Sequence, residues 1–179
     1  MTTWTIDTSH SSIDFKVRHM GIASVKGQFT EYEASAVTEN RVLKSLEATI
    51  QTASVHTNDA KRDAHLRSSD FFDAESYPQI TFKSNRVEAK GGNRYEVTGD
   101  LSMKGQTHPV TFEVEVGEIL NDPFGLVRSA ANVRGVLNRT DWGLKWNQVL
   151  EAGSLLVGEE VRFDFDVQAV TEREPEAVA

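Results

Sequence analysis

The residues able to do acid–base or ligand chemistry are few and scattered. Five histidines occur, at His10, His19, His56, His65 and His108. None is spaced from another as His-x-His or His-x-x-x-His, so the sequence writes no local metal-ligand pair. The chain has no Cys, which excludes disulfides, thiol nucleophiles and thiolate metal sites. Ser9-His10-Ser11 and Asp70 supply residue types for nucleophilic work but stand in no recognised arrangement. The glycine-flanked serine, phosphate-loop and dinucleotide glycine motifs are absent. His19 is the sharpest single candidate. It falls in phase with Ile13, Phe15 and Val17, so it can face an apolar interior and hydrogen-bond a polar head group. The competing reading is a core histidine satisfied by a neighbour. Arg62, Arg67 and Arg139 could meet a phosphate. They could equally hold lids or form ion pairs, as Asp63 and Arg67 would at i, i+4.

The elements that must position these groups are strands. Ile13–His19 alternates apolar with charged residues, as do Leu46–Thr52, Phe112–Val116 and Val161–Gln168. Each run has one buried and one wet face, the mark of antiparallel sheet. Weaker runs cover Ile80–Val87, Tyr95–Met103 and Leu126–Leu137, and 22–37 adds one strand centred on Val25–Phe29. Gly91-Gly92-Asn93 reads as a hairpin, Asp122-Pro123-Phe124-Gly125 as a turn, and Lys104-Gly105-Gln106 as a connection or strand start. About eight strands at this spacing predict an all-β barrel or sandwich.

Two stretches break the alternation. Thr57 or Asn58 can cap a short helix running to Arg67, followed by Phe71, Phe72 and Tyr77-Pro78. The second, Asp141–Gly158, carries Trp142, Trp146, Leu155 and Leu156, with a short helix expected around Gln148–Ala152. Both are rich in large apolar side chains and suit lids over an apolar interior.

Composition bounds the rest. The chain has 179 residues, 39% hydrophobic and 26% charged, with 27 acids against 19 bases for a net charge of −8. The length suits one domain. We expect a single barrel over residues 1–171 and a flexible acidic tail over 172–179. The acidity argues against a nucleic-acid partner. No apolar run exceeds three residues, which excludes a membrane-spanning helix. The opening MTTWTIDTSHSS has neither a basic start nor an apolar core, so the expected location is cytoplasmic. An exposed strand surface would allow a homodimer.

Five motifs in order carry a resemblance to a known family. Trp4-Thr5-Ile6-Asp7 with His10-Ser11-Ser12-Ile13 and Phe15–Gly21 resembles the opening of the YceI-like family. Arg62–Ser68 with Asp70-Phe71-Phe72-Asp73 and Tyr77-Pro78 is similar to its second signature, and Gly99–Gly105 before Pro109-Val110-Thr111 to its third. Asn138–Leu144 and Gly158-Glu159-Glu160-Val161 resemble the last two. The resemblance implies an eight-stranded antiparallel lipocalin-like β-barrel with short helical lids. It also implies a long amphiphile, a polyisoprenoid or isoprenoid quinone, held in the barrel as ligand. Apart from that ligand we expect no cofactor, and the histidine spacing gives no reason to expect a metal. On that reading the wall candidates are Ile13, Phe15, Val17, His19, Ile50, Phe82, Leu101, Phe112, Val114, Phe163 and Phe165, with Phe71, Phe72, Trp142 and Trp146 near the mouths. Three readings stand at this point: a lipid-binding module, the leading one; a small barrel enzyme using His19 or His65 as acid–base; and a solid barrel acting as a scaffold.

Overall fold

The computed structural model describes residues 1–151, 153 and 155–172. It contains eleven strand segments and one α-helix. The strands are β1 (Thr2–Ile6), β2 (Ile13–His19), β3 (Ala23–Phe29), β4 (Tyr32–Glu39), β5 (Val42–Gln51), β6 (Val55–His56), β7 (Gln79–Ala89), β8 (Arg94–Met103), β9 (Gln106–Asn121), β10 (Leu126–Asn138) and β11 (Val157–Glu172). The helix α1 spans Ala60–Arg67.

Eleven segments make eight long strands. β1 and β2 run in one direction, broken by a 3₁₀ turn at Thr8–His10, and both lie on the same side of β11. β3 and β4 form their joint antiparallel partner, through Ile13↔Phe29 on one side of the break and Thr5↔Ser35 on the other. β5 and β6 follow as a third interrupted strand. β7 to β11 then continue the meander, and β11 pairs back onto β1 at Thr5↔Val170. The sheet is therefore a closed eight-stranded antiparallel barrel. Closure leaves no outer edge strand, which removes the usual route to edge-to-edge aggregation.

The alternating runs became strands at the expected places, and several details differ. Thr2–Ile6 is a strand that its five residues were too few to announce. The stretch 22–37 holds two strands, because the chain kinks at Thr30-Glu31 to stay paired across the β1–β2 break. Lys104-Gly105 is a two-residue hairpin turn with both φ positive, at 50° and 73°, which matches the twist of the flanking strands. Thr52 leaves the β5 alternation and enters a 3₁₀ turn. Glu172, assigned to the tail, closes β11 opposite Leu126. The remaining tail, 173–179, lies outside the described residues.

The helix is capped by Asp59, not by Thr57 or Asn58. Its side chain accepts from the Arg62 amide at 3.0 Å. Thr57 is committed elsewhere: its amide and hydroxyl both donate to Asp63 Oδ1, at 2.8 and 2.6 Å. Asn58 Oδ1 lies 2.9 Å from His56 Nε2. The expected Asp63–Arg67 pair is replaced by this buried Thr57–Asp63 contact, which pins the start of the lid to its own helix. The helix expected at Gln148–Ala152 does not form over 148–151. That loop is instead drawn together by a Val149–Leu155 bridge and a Leu156 amide bond to the Gln148 carbonyl, and Ala152 lies outside the described residues.

At the β1–β2 break, Asp7 gathers four donors. Oδ1 accepts from the amide and hydroxyl of Ser9, and Oδ2 meets His10 Nδ1 at 2.9 Å and Arg128 Nη1 of β10 at 2.5 Å. Arg128 first, then Ser9 and His10, hold the Asp7 carboxyl far below its ordinary value of 3.8. A depressed carboxylate adds stability that is present above the unfolded value and is lost as pH falls toward the folded one. Asp7→Asn is therefore expected to melt lower than wild type at pH 7. The gap should narrow as pH drops below 3.8. Thermal melts across that range check this, and an unchanged gap at acid pH would refute it.

Candidate functional site

The inward faces of the strands do not fill the barrel. They enclose an apolar cavity of about 490 Å³. That volume lies within the roughly 300–1,000 Å³ typical of small-molecule sites, and it rules out the solid-barrel reading.

Thirteen of the expected wall and mouth residues line this cavity: Ile13, Phe15, Val17, His19, Ile50, Phe71, Phe72, Phe82, Leu101, Phe112, Trp146, Phe163 and Phe165. Two do not. Val114 sits deeper along β9, packed with Leu43, Tyr95 and Val97 in the core that fills the opposite end of the barrel. Trp142 is buried behind the lid, and its indole N–H donates to the Leu101 carbonyl at 2.9 Å. Wall residues that the sequence reading did not place in the site include Phe29, Leu46, Ala48, Ile80, Val133 and Leu137. Leu46 and Ala48 stand in phase with Ile50 and were findable. Phe29 and Leu137 were obscured by glycines in their own strands.

Those glycines explain how large aromatic rings line a cavity without closing it. Gly27 of β3 lies opposite Phe15, and Gly135 of β10 lies opposite Phe163. A Cβ at Gly27 would collide with the Phe15 ring, and one at Gly135 would stand 2.5 Å from Cζ of Phe163. Gly99 of β8 lies diagonally to Phe82, and a Cβ there would meet the Lys83 carbonyl oxygen as well as the Phe82 ring. Each ring lies back over a bare stretch of neighbouring backbone, the aromatic cover of a strand glycine. Lumen space is retained because these positions have no side chain.

Both lid segments sit at one end of the barrel, not one at each mouth. The up-and-down order places 57–78 and 139–156 at the same end, and the opposite end is filled by the Leu43–Val97–Val114 core. The two segments meet through aromatic contacts. The His65 ring stands edge-on to Phe71 and Trp146, with centroids 5.1 and 4.6 Å away, and Phe71 lies 5.5 Å from Trp146. His65 Nε2 is 2.9 Å from Asp70. Lys104 in the β8–β9 turn donates to the Ser69 carbonyl at 2.9 Å.

Arg139 holds the second lid. Its side chain is 4% exposed. Nε donates to the Gly158 carbonyl, Nη1 to Leu144 and Trp146, and Nη2 to Val157. The guanidinium also stands 5.7 Å from the Phe71 ring centre, a cation–π distance that links the two lids. Burial pushes the Arg139 pKa below its ordinary value, partly opposed by Glu159. Arg62 is half-buried, with Nε on Thr57 Oγ1 at 2.8 Å and Nη2 on the Thr57 carbonyl at 2.7 Å. Arg62, His65, Arg139 and His19 all border the cavity. Arg67 does not.

A second hollow, of about 890 Å³, lies on the outer face over β2, β3 and β9–β11. Its charged residues include Glu113 with Arg134, joined at 2.7 Å. Asp164 is held by Asn132 at 2.8 Å. It is a solvated charged surface of both signs.

The fold and cavity define a class, and comparison with known proteins fixes it. The YceI-like domain matches residues 4–169, and the chain belongs to that family. A UPF0312 protein of Staphylococcus epidermidis is 36% identical over 167 residues, covering 92% of this chain and 95% of the relative. A UPF0312 protein of Staphylococcus aureus is 35% identical with the same coverage. Among solved structures, BcnA of Burkholderia cenocepacia superposes with a TM-score of 0.79 at 25% identity, over 91% of this chain and 98% of its own. A polyisoprenoid-binding domain from Saccharophagus degradans shares the fold, with a TM-score of 0.66 at 16% identity over 96% of this chain and 99% of its own. No helix among the described residues is long and apolar enough to cross a membrane.

Two substitutions test this geometry. Arg139→Ala leaves several buried carbonyls without donors and is expected to cost more than about 3 kcal/mol. Hydrogen exchange over 139–147 should then rise more than in the barrel strands, and uniform exchange would show that Arg139 does not hold the lid. Gly135→Ala drives the Phe163 ring into the lumen, at a cost of about 1–3 kcal/mol. A crystal structure of that variant should show a smaller cavity, and an unmoved ring would contradict the argument.

Proposed function

We propose that this protein binds a long-chain amphiphile of the polyisoprenoid or isoprenoid-quinone type in its barrel, for carriage, storage or sequestration. The observation that carries this is the apolar cavity of about 490 Å³, closed at one end by packed core and covered at the other by the lid segments. An amphiphile with a long apolar tail suits that lining. Its chain would lie along Phe15, Phe112 and Phe163, with its head toward His19, Arg62, His65 and Arg139. Burial of the chain contributes about 0.8 kcal/mol per methylene. A few isoprene units thus support roughly micromolar affinity after ordering costs. Membership of the YceI-like family and the shared fold of a polyisoprenoid-binding domain agree with this reading. A binding role also suits the histidines better than acid–base work. His65 is engaged with Asp70 and wedged between two aromatic rings, so its ring serves as wall.

The test is solvent extraction of protein purified from its native cell, followed by mass spectrometry, with a lumen-blocked variant alongside. Ala48 faces the cavity from β5, opposite Phe82. Ala48→Trp should fold, fail to yield the lipid and fail to gain thermal stability from added polyprenols. Wild type at a ligand concentration about 100 times Kd should gain about 2.7 kcal/mol. A clean extract from wild type together with no stabilisation by polyprenols or quinones would overturn the reading.

A further inference from the structure

We infer that the tip of the β2–β3 hairpin, with the adjoining part of the second lid, docks on an anionic lipid bilayer, where the barrel exchanges its ligand. This rests on the proposed binding of a lipid and adds the surface from which that lipid is taken or to which it is given.

The fold leaves a cluster of apolar side chains outside. Met20 and Ile22 flank Gly21 at the turn between β2 and β3, and they are 44% and 82% exposed. Val149 and Leu155 of the second lid are 73% and 39% exposed. The backbone brings the two pairs together: the Met20 amide donates to the Leu156 carbonyl at 2.8 Å, and Leu155 bridges to Val149. One exposed apolar residue is ordinary on a protein surface, whereas a cluster marks a place of interaction. The turn also projects. Met20 and Gly21 both have positive φ, and a Cβ on Gly21 would meet nothing within 4 Å. A projecting tip sinks into a fluid surface but builds little flat protein interface. The cluster also joins the cavity wall, because His19 and Leu156, the chain neighbours of Met20 and Leu155, line the cavity. A lipid chain crossing here keeps apolar contact between bilayer and lumen and avoids exposure to water.

Charge selects the kind of bilayer. The chain has a net charge of −8, yet residues 15–30 hold Lys16, Arg18 and Lys26 and no acid. All three are exposed, and among the described residues none has a carboxylate within 4.0 Å. Lys16 stands directly opposite Lys26 on one side and Arg162 on the other. Like charges opposed across strands are destabilising, and an anionic surface relieves that repulsion. Arg162 has its own partner, Glu160, at 2.8 Å. The exposed acids of the adjoining lid and β11, Glu151 and Glu159, are outnumbered by Lys145 and the three hairpin cations. Depth fits as well. Arg18 lies two residues from Met20, roughly 7 Å along the strand, and Lys16 and Lys26 lie roughly 13 Å from the tip. Apolar side chains sunk about 5–10 Å into the bilayer bring Arg18 to the headgroups. Both lysines then stand within about a Debye length of them. A second copy docked tip to tip would bring the same cations together, which disfavours it as the occupant.

The experiment is flotation of the full chain with vesicles of phosphatidylcholine alone or with about one-quarter phosphatidylglycerol. Wild type should float with the anionic vesicles and bind the neutral ones at least about tenfold more weakly. Ile22→Ser combined with Val149→Ser should weaken anionic-vesicle binding by at least about tenfold. Lys16→Gln combined with Lys26→Gln should weaken it by roughly fivefold per cation and leave neutral-vesicle binding unchanged. All four positions are exposed, so neither double variant should melt below wild type. Wild type that floats with neither vesicle overturns the inference, as does an Ile22→Ser, Val149→Ser variant that floats like wild type. Sedimentation velocity covers the other occupant: an oligomer that this variant dissociates, with vesicle binding intact, assigns the patch to a second copy and overturns the inference. Lipid extracted from a protein that ignores vesicles removes the docking and keeps the binding function. A clean extract from a protein that floats, with no stabilisation by polyprenols or quinones, keeps the docking and removes the ligand.

Discussion

An eight-stranded barrel closes at a diameter that its own side chains can fill. Keeping it hollow is the constraint on which the rest of this structure depends. Small wall residues such as Ala34 and Ala48 meet it only in part. The chain also uses large ones, Phe15, Phe82 and Phe163, each lying back over a glycine of the neighbouring strand. Large rings give the wall its apolar surface, and the glycines give the rings somewhere to lie other than the lumen. The two are interdependent, because a side chain at Gly135 removes the space and a small residue at 163 removes the surface. At the opposite end Tyr95, Val97 and Val114 pack fully, so hollowness is confined to the lid side.

The lid follows from the same constraint. A hollow end must be covered by something that is not sheet, and irregular backbone leaves carbonyls without partners. Arg139 resolves this for the second segment by giving four donors to carbonyls of 144–158. Thr57 and Asp63 resolve it for the first, by tying the loop before α1 to the helix interior. The two solutions differ in charge. Asp63 has Thr57 and His56 beside it, whereas Arg139 is met at contact distance by carbonyl dipoles and the face of Phe71, with the charge of Glu159 acting from further off.

Much of this was legible in the sequence. Alternation from Ile13 to His19 and from Val161 to Gln168 placed the wall strands and their inward faces, because a period of two leaves little choice once one face is apolar. What could not be read was local and three-dimensional. Trp4 belongs to a five-residue strand whose pairing with β4 and β11 is entirely long-range. Val114 shares the phase of Phe112, but phase does not report depth along the barrel, so the two look alike and lie in different environments. Trp142 and Trp146 are four residues apart in one loop. Gly143, with φ of 81°, turns the chain between them, so that one is buried behind the lid and the other borders the cavity.

The placement of both lids at one end was also invisible to pattern, yet it follows from topology alone. In a closed up-and-down barrel every second connection emerges at the same end. Connections separated by an even number of strands share an end, and four strands, β7–β10, lie between 57–78 and 139–156. The break between β1 and β2 precedes both lids and leaves that parity unchanged. Asp7 bridges it to Arg128 of β10, so the first long strand keeps its place on β11 across a gap where the ladder itself is interrupted. That continuity keeps the barrel closed, because β1 and β2 together supply the partner that β11 pairs with on this side.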